Sequence, residues 1–315
     1  MSGPLRIVSY NVRYFGHALR GLASTRKSKQ GIALGLSALT PRPQVICLQE
    51  VETESLRSTL ASGSKTKGET QLEAFMGEFE QAFAARGEVC PYEAFYFRAH
   101  TYRLTKAVNV YTTGLAILVD VTAVKVEAHN VAAPQHITHH HILQVKDRKQ
   151  TRICAHMRLL DPGGKPFHVF NTHMSLPTPF AKGFWTQKDK MGFGPNQLEE
   201  ARSVATFVKK SAGADPFVIC GDFNSPPGSP VYRYLTEEAK LTAAQEVLKQ
   251  TDQGLPRGFP TAGFMRLRMH LDHLFSGAGV RWVDLKDTRP FGDLASPFHG
   301  LSDHAPLIGG FRLER

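Results

Sequence analysis

The sequence predicts two packed β-sheets flanked by helices, within a single domain spanning residues 1–315. Three observations lead there. Apolar residues at helical spacing occur in both halves of the chain. A long run of strand-like segments lies between them. No proline- or glycine-rich linker and no low-complexity tract divides the chain. Two sheets covered by outer helices is the layer architecture that accommodates this order.

The elements follow in sequence. Residues 5–12 are rich in β-formers and open the fold as a strand. Residues 20–29 carry Arg20, Arg26, Lys27 and Lys29 without an acid and read as a basic loop. A helix is expected over 30–39, stopped by Pro41, and a buried strand over 44–48. Residues 62–70 read as a polar loop. Leu72, Phe75, Met76, Phe79 and Phe83 then recur at helical spacing, with Gly87 placed to end that helix. Strands are expected at 92–98, 114–119, 121–128, 136–146, 152–159 and 166–172, and a helix at 196–210. The run 217–220 is a short core strand. Ser229 and Pro230 have the residue types of an N-cap and first helical position. Strands at 271–275, 280–285 and 306–313 close the chain.

Composition narrows the function classes. At 315 residues, with 42% hydrophobic and 21% charged, the chain can build its core without disulfides. Cys47, Cys90, Cys154 and Cys220 have neither zinc-site nor redox-pair spacing and read as free thiols. No apolar run approaches a membrane span, and the N-terminus has no signal-peptide pattern, so a cytoplasmic protein is expected. The net charge of +10 favours a polyanionic partner.

Polar residues recur where apolar strand runs end. Asn11 closes the first strand and Glu50 the second. His173 closes 167–172, and Asp222 and Asn224 follow 217–220. Asp272 lies in Leu271-Asp272-His273, and Asp303-His304 precedes Ala305-Pro306-Leu307. If the chain stays extended, Asp222 and Asn224 project to one face. The alternative for that pair is an Asx turn that merely closes the strand. As a set, carboxylates and amides hold a hard divalent cation through oxygen. Histidines and further carboxylates supply acid, base and electrostatic roles around it.

The motifs Ser9-Tyr10-Asn11-Val12-Arg13, Leu48-Gln49-Glu50-Val51, Asn171-Thr172-His173, Gly221-Asp222-Phe223-Asn224, Leu271-Asp272-His273 and Ser302-Asp303-His304 occur in this order over nearly the whole chain. Together they resemble the signature of the endonuclease/exonuclease/phosphatase superfamily, the deoxyribonuclease I-like fold, in its histidine-bearing branch. The resemblance implies a four-layer α/β sandwich of two mostly antiparallel sheets. It also implies a phosphoesterase dependent on Mg²⁺ or Mn²⁺. Glu50 would be the principal metal ligand, with Asn11 beside it and Asp303 in support. Asp222 and Asn224 would position the attacking water and the phosphate, and Asp222 is placed to share a second metal. His304 would act as general base or phosphate-binding imidazolium, held by Asp272. His173 would donate to the phosphate or to the leaving oxygen.

The resemblance also ranks substrates. Asn171-Thr172-His173 departs from the tyrosine motif of abasic-site endonucleases. Cys220 and Ser225-Pro226 depart from the pattern of inositol polyphosphate 5-phosphatases. Asn11-Val12-Arg13-Tyr14-Phe15-Gly16 resembles the start of deoxyribonuclease I-like nucleases, which places Arg13 at substrate phosphate. With Arg257, Arg266 and Arg268, this favours nucleic acid, DNA or RNA. The competing substrate is a membrane phospholipid or sphingomyelin. Phe180, Phe184, Trp185, Met191 and Phe193, interleaved with Lys182, Lys188 and Lys190, suit a membrane interface or stacked bases. A phosphatase of the same superfamily is the other alternative. His136, His139, His140 and His141 read as a surface strand, and no obligate protein partner is evident.

Overall fold

The computed structural model describes residues 3–15, 26–52, 70–105, 108–138, 151–177, 191–248, 260–264, 267–287 and 295–314. The strands are β1 (Leu5–Asn11), β2 (Val45–Glu52), β3 (Tyr92–Thr105), β4 (Val108–Asp120), β5 (Lys125–His129), β6 (Gln135–His136), β7 (Ile153–Leu160), β8 (Pro166–His173), β9 (Phe217–Asp222), β10 (Thr242–Ala243), β11 (Ala262–Phe264), β12 (Leu267–Met269), β13 (Asp272–Ser276), β14 (Val280–Asp287) and β15 (Leu307–Leu313). The helices are α1 (Arg26–Ser37), α2 (Gln71–Ala84), α3 (Pro195–Ala212), α4 (Pro230–Arg233) and α5 (Ala244–Val247).

Two sheets face each other. The first runs β14-β15-β1-β2-β4-β3 and the second β10-β13-β9-β8-β7-β5, with β6 beside β7. Only β1–β2 and β8–β9 pair in parallel within these two sheets. Strand alternation divides the apolar residues between layers. Ile7, Cys47, Ile117, Val169, Val218 and Leu274 point between the sheets. Val8, Ile46 and Leu48 point outward, under Ile32 and Leu36 of α1 and Phe75 and Phe79 of α2. Phe170, Ile219 and Phe275 point outward on the second sheet, under Ala201, Val204 and Val208 of α3. Central strands are thus buried on both faces, which is why their sequences are apolar runs.

Local chemistry sets the boundaries. Thr70 caps α2, and Glu73 completes the capping box. Gly87, at φ +73°, turns the chain out of that helix. Ser229 accepts from the Tyr232 backbone N–H and caps α4, with Pro230 at the first position. Some expected boundaries move. Residues 26–29 belong to α1 and not to the basic loop expected there, Lys29 is buried, and residues 20–25 lie outside the described residues. The expected strand over 121–128 is Lys125–His129, because 121–124 form a turn held by Asp120. Of the strand expected at 136–146, β6 ends at His136, and His139, His140 and His141 lie outside the described residues. Cys47, Cys154 and Cys220 are buried free thiols, and Cys90 is half-buried. No helix among the described residues is long and apolar enough to cross a membrane.

This topology gathers one end of every key strand. Parallel pairing aligns the C-terminal ends of β1 and β2, with Asn11 opposite Gln49. It likewise aligns those of β8 and β9, with His173 opposite Asp222. Antiparallel pairing places the start of β13 beside the end of β9, with Asp272 opposite Asp222. It also places the start of β15, just after His304, beside the end of β1.

Candidate active site

Glu50 stands in a β-bulge. The β2–β4 register shifts between Leu48 and Val51, and Glu50 takes a left-handed φ of 55°. A non-glycine residue there is strained, and such strain is characteristic of functional positions. The bulge is finished from the opposite sheet. Asn171 Nδ2 donates to the carbonyls of Leu48 and Ala116, at 3.0 and 3.2 Å, and Gln49 Nε2 donates to Asn171 Oδ1 at 2.8 Å. These buried amides lock the strand that carries Glu50 to the strand that carries His173.

The end of β9 combines both readings of Asp222 and Asn224. The chain does not stay extended: Asn224 has φ 48°, and its N–H donates to Asp222 Oδ1 at 2.9 Å, an Asx turn. Asn224 Nδ2 donates to the Met174 carbonyl at 2.9 Å. The turn still delivers Asp222 Oδ2 inward, where Asn11 Nδ2 donates to it at 3.1 Å. Gly221 allows the close approach. A Cβ there would lie 1.9 Å from the Thr172 carbonyl oxygen, and its φ is +148°.

His304 lies between two carboxylates. Its Nδ1 is 2.8 Å from Asp272 Oδ2 and its Nε2 3.7 Å from Asp222 Oδ2. Its placement depends on Thr261. That hydroxyl accepts from the Leu271 and Asp272 N–H groups, and its carbonyl accepts from Ala305. Ser302 joins the same segment to β1 by donating to the Asn11 carbonyl at 2.7 Å. Arg13 pairs with Asp303 at 2.5 Å, so the structure couples the two residues expected at the phosphate and the metal. Asn11 Oδ1 accepts from the Arg13 N–H. Arg13, Tyr14 and Phe15 are all left-handed, which folds this turn back over the strand end.

His173 faces the carboxylates through Nε2, 3.5 Å from Asp222 Oδ2 and 3.8 Å from Glu50 Oε1. On its other side Arg152 Nη1 lies 2.9 Å from Nδ1. Helix α3 secures the loops beyond. Glu200 accepts from the Ser175 N–H and hydroxyl, and Gln197 Nε2 donates to the carbonyls of Ser175 and Asn224.

The electrostatics follow from burial. Glu50 is raised above the usual carboxylate range by burial and by Asp303, against the pull of Arg152 and His304. Burial and Asp272 push Asp222 up to about 7, although His304, Asn224 and Asn11 oppose this. Burial disfavours the His304 imidazolium, yet Asp272, Asp222 and Asp303 together push it up to about 10. Burial, then Arg152 and His304, hold His173 well below the usual histidine range.

The donor set fits a divalent cation. Ligand atoms of Asp222, Asp272 and His304 lie within 4.8 Å of one another. Asp272 Oδ1 is buried without a hydrogen-bond partner, and Glu50 is a buried carboxylate raised first by that burial and then by Asp303. Oxygen donors bearing uncompensated negative charge suit Mg²⁺ or Mn²⁺. The structure therefore brings Asn11, Arg13, Glu50, His173, Asp222, Asn224, Asp272, Asp303 and His304 to the same end of the two sheets. Sequence reading assigned no role to Gln49, Asn171, Arg152, Thr261, Gln197, Glu200 or Ser302. Gln49, Asn171 and Ser302 stand inside the motifs, so adjacency marked them; the others carry no local signal. Of the segments weighed for substrate, Arg257, Arg266, Phe180, Lys182, Phe184, Trp185, Lys188 and Lys190 lie outside the described residues.

Known proteins share this fold. Among solved structures, the fold is similar to the human Nocturnin catalytic domain with bound sulfate, at TM-score 0.63 and 18% identity over 99% of this chain and 94% of that one. It is similar to ANGEL2, a 2′,3′-cyclic phosphatase, at TM-score 0.65 and 15% identity over 99% and 96% of the two chains. It is also similar to a mannosyl-6-phosphatase from Bacteroides thetaiotaomicron, at TM-score 0.59 and 15% identity over 98% and 100%. No curated protein matches the sequence. The model of the endonuclease/exonuclease/phosphatase family matches residues 8–304, and the chain belongs to that family, whose members are hydrolases of phosphoric ester bonds.

Proposed function

We propose that the chain is a divalent-metal-dependent phosphodiester hydrolase that cleaves nucleic acid. The observation that carries the reading is the arrangement of Asp272, His304 and Asp222, in contact across the ends of β13 and β9 and beside Glu50. Glu50 and Asn11 would hold Mg²⁺ or Mn²⁺, with Asp303 behind them and Asp222 available to a second ion. Such an ion, when bound, supplies positive charge to the phosphoryl oxygens.

The remaining roles follow from the side chains. His304, held as an imidazolium by three carboxylates, binds a phosphoryl oxygen as a charged donor. That state favours the phosphate-binding role over the base. Asp222, raised by burial, takes the proton of the attacking water. Asp272 accepts from His304 Nδ1 and holds the ring. His173 donates from Nε2 toward the leaving oxygen. Asn224 fixes the turn that presents Asp222 and borders the phosphate position.

The choice of nucleic acid rests on the charge of +10 and on Arg13 at the rim. The similar structures include a 2′,3′-cyclic phosphatase and a mannosyl-6-phosphatase, so the fold does not choose among substrates. The test is a panel of plasmid DNA, single-stranded DNA, RNA and sphingomyelin liposomes, each with Mg²⁺, Mn²⁺ or EDTA. Metal-dependent cleavage of DNA or RNA is expected. Cleavage of lipid alone refutes the nuclease reading, and activity that survives EDTA refutes the metal requirement.

A further inference from the structure

We propose that Arg152 is a positioning residue that fixes His173 as the neutral Nε2–H tautomer, so that its one ring proton faces the reacting centre. Arg152 Nη1 lies 2.9 Å from His173 Nδ1, and both side chains are buried. A guanidinium carries only donors. Nδ1 must therefore present its lone pair, and the proton of a neutral ring resides on Nε2. The imidazolium form would set an Nδ1–H against the guanidinium N–H, donor against donor and cation against cation. The proton on Nε2 then points at the gap bounded by Asp222 Oδ2 and Glu50 Oε1, at 3.5 and 3.8 Å.

The backbone of Arg152 holds it beside the ring. Its N–H donates to Thr138 Oγ1 at 2.7 Å and its carbonyl accepts from Ile137, so its backbone is anchored beside β6. No ion pair among the described residues involves its guanidinium, and its Nε–H is buried without an acceptor. A buried cation that makes no close ion pair is costly to keep, and the charge of Glu50 offsets only part of that cost. Here Arg152 lines a small cavity with Gly114, Ala99 and His173. A carboxylate in the place of Arg152 would do the opposite, accepting from Nδ1–H and making the ring more basic.

The consequence rests on the phosphoesterase reading: His173 serves as an uncharged donor to a phosphoryl or leaving oxygen and never as a base. The test uses the full chain labelled with ¹⁵N-histidine, free of metal, in two-bond ¹H–¹⁵N correlation spectra. Wild type is expected to show His173 protonated at Nε2 only. Arg152→Lys, which still only donates, keeps that state and keeps kcat within about threefold. Arg152→Gln offers either a donor or an acceptor, so an Nδ1–H population appears. Its kcat falls roughly ten- to hundredfold, the loss of one charge-assisted hydrogen bond, with KM little changed. An Nδ1–H signal in wild type overturns the proposal. So does an Arg152→Gln protein with either an unmixed Nε2–H signal or unchanged kcat. If Arg152→Gln does not fold, the wild-type spectrum and Arg152→Lys still decide. Absence of any phosphoester cleavage, with the Nε2–H tautomer present, defeats the functional reading and leaves the tautomer assignment standing.

Discussion

Asn171→Ala tests how the fold builds the site. Asn171 belongs to the second sheet, yet its amide donates to Leu48 and Ala116 carbonyls that flank the bulge in the first. It also accepts from Gln49, the neighbour of Glu50. Truncation removes all three bonds from a site that water does not reach, since Asn171 and Gln49 are fully buried. Gln49 Nε2 keeps weaker contacts with Ser9 Oγ and the Cys47 carbonyl, at 3.2 and 3.3 Å. The main cost is therefore the two deserted carbonyls. At about 1–3 kcal/mol for each buried group left unpaired, the loss is about 2–5 kcal/mol. That is a large part of the 5–15 kcal/mol typical of a domain. Urea unfolding followed by tryptophan fluorescence measures it, because Trp282 is buried in the inter-sheet core. Turnover should fall by a factor of ten or more under conditions where the variant is fully folded, because Glu50 depends on the bulge. A stability loss below about 1 kcal/mol would show that the carbonyls are satisfied otherwise. A full stability loss with unchanged turnover would show that the bulge does not place Glu50.

Further expectations concern the same end of the sheets. Gly221→Ala forces a Cβ onto the Thr172 carbonyl, so soluble yield should collapse or stability drop by at least ~3 kcal/mol; an unaffected melting curve would disprove the close approach. His304→Ala should lower kcat by roughly a thousandfold with the circular dichroism spectrum intact, and near-normal turnover would remove its role at the phosphate. Mg²⁺ at millimolar concentration should raise Tm by a few degrees by compensating the buried negative charge at Glu50 and Asp222, and Glu50→Gln should abolish most of that shift; equal shifts in both proteins would place the ion elsewhere. Stability in EDTA should fall as pH drops from about 6.5 to 4. Burial holds His173, His270 and His273 neutral in the fold, so the unfolded chain binds protons first. His273 alone, fully buried and lowered to about 4, accounts for about 3 kcal/mol of that loss. Glu50 and Asp222 are raised and run the other way, so the fall is shallower than the histidines alone would give. A urea midpoint that is flat or rises toward acid pH would contradict the assignment.

The layered fold and the set of strand-end polar residues were legible in the sequence because they depend on local patterns. Ile7 and Val8 face opposite layers, and an apolar run at β1 records both. The Asp222-Phe223-Asn224 turn was legible only as a choice between an extended pair and an Asx turn. The structure resolves it as a turn that still presents Asp222. The reason is Gly221, whose φ of +148° rotates the chain against Thr172 before the turn begins. Arg13 shows the opposite limit. Its motif pointed to phosphate, but its ion pair is with Asp303, 290 residues away. Nothing local encodes that distance. The same holds for Thr261, which ties Asp272 to Ala305 through one hydroxyl and one carbonyl.

The residues that escaped the sequence share a physical property. They touch no reacting atom; they pair with backbone or ring groups from distant strands. Asn171 and Thr261 spend their amide or hydroxyl groups on carbonyls and N–H groups that a bulge or strand start leaves to be satisfied, and Gln49 holds the Asn171 amide in place. Such groups must be paired when buried, whatever the chemistry outside. The strain at Glu50 and the left-handed turn at Arg13, Tyr14 and Phe15 are therefore supported by side chains chosen for donor and acceptor count. Arg152 fits the same logic, with a ring nitrogen in place of a carbonyl. A site of carboxylates and imidazoles at strand ends is easy to write in a sequence. Holding each one in a single rotamer and tautomer requires partners from the opposite sheet, and only the folded topology brings those within reach.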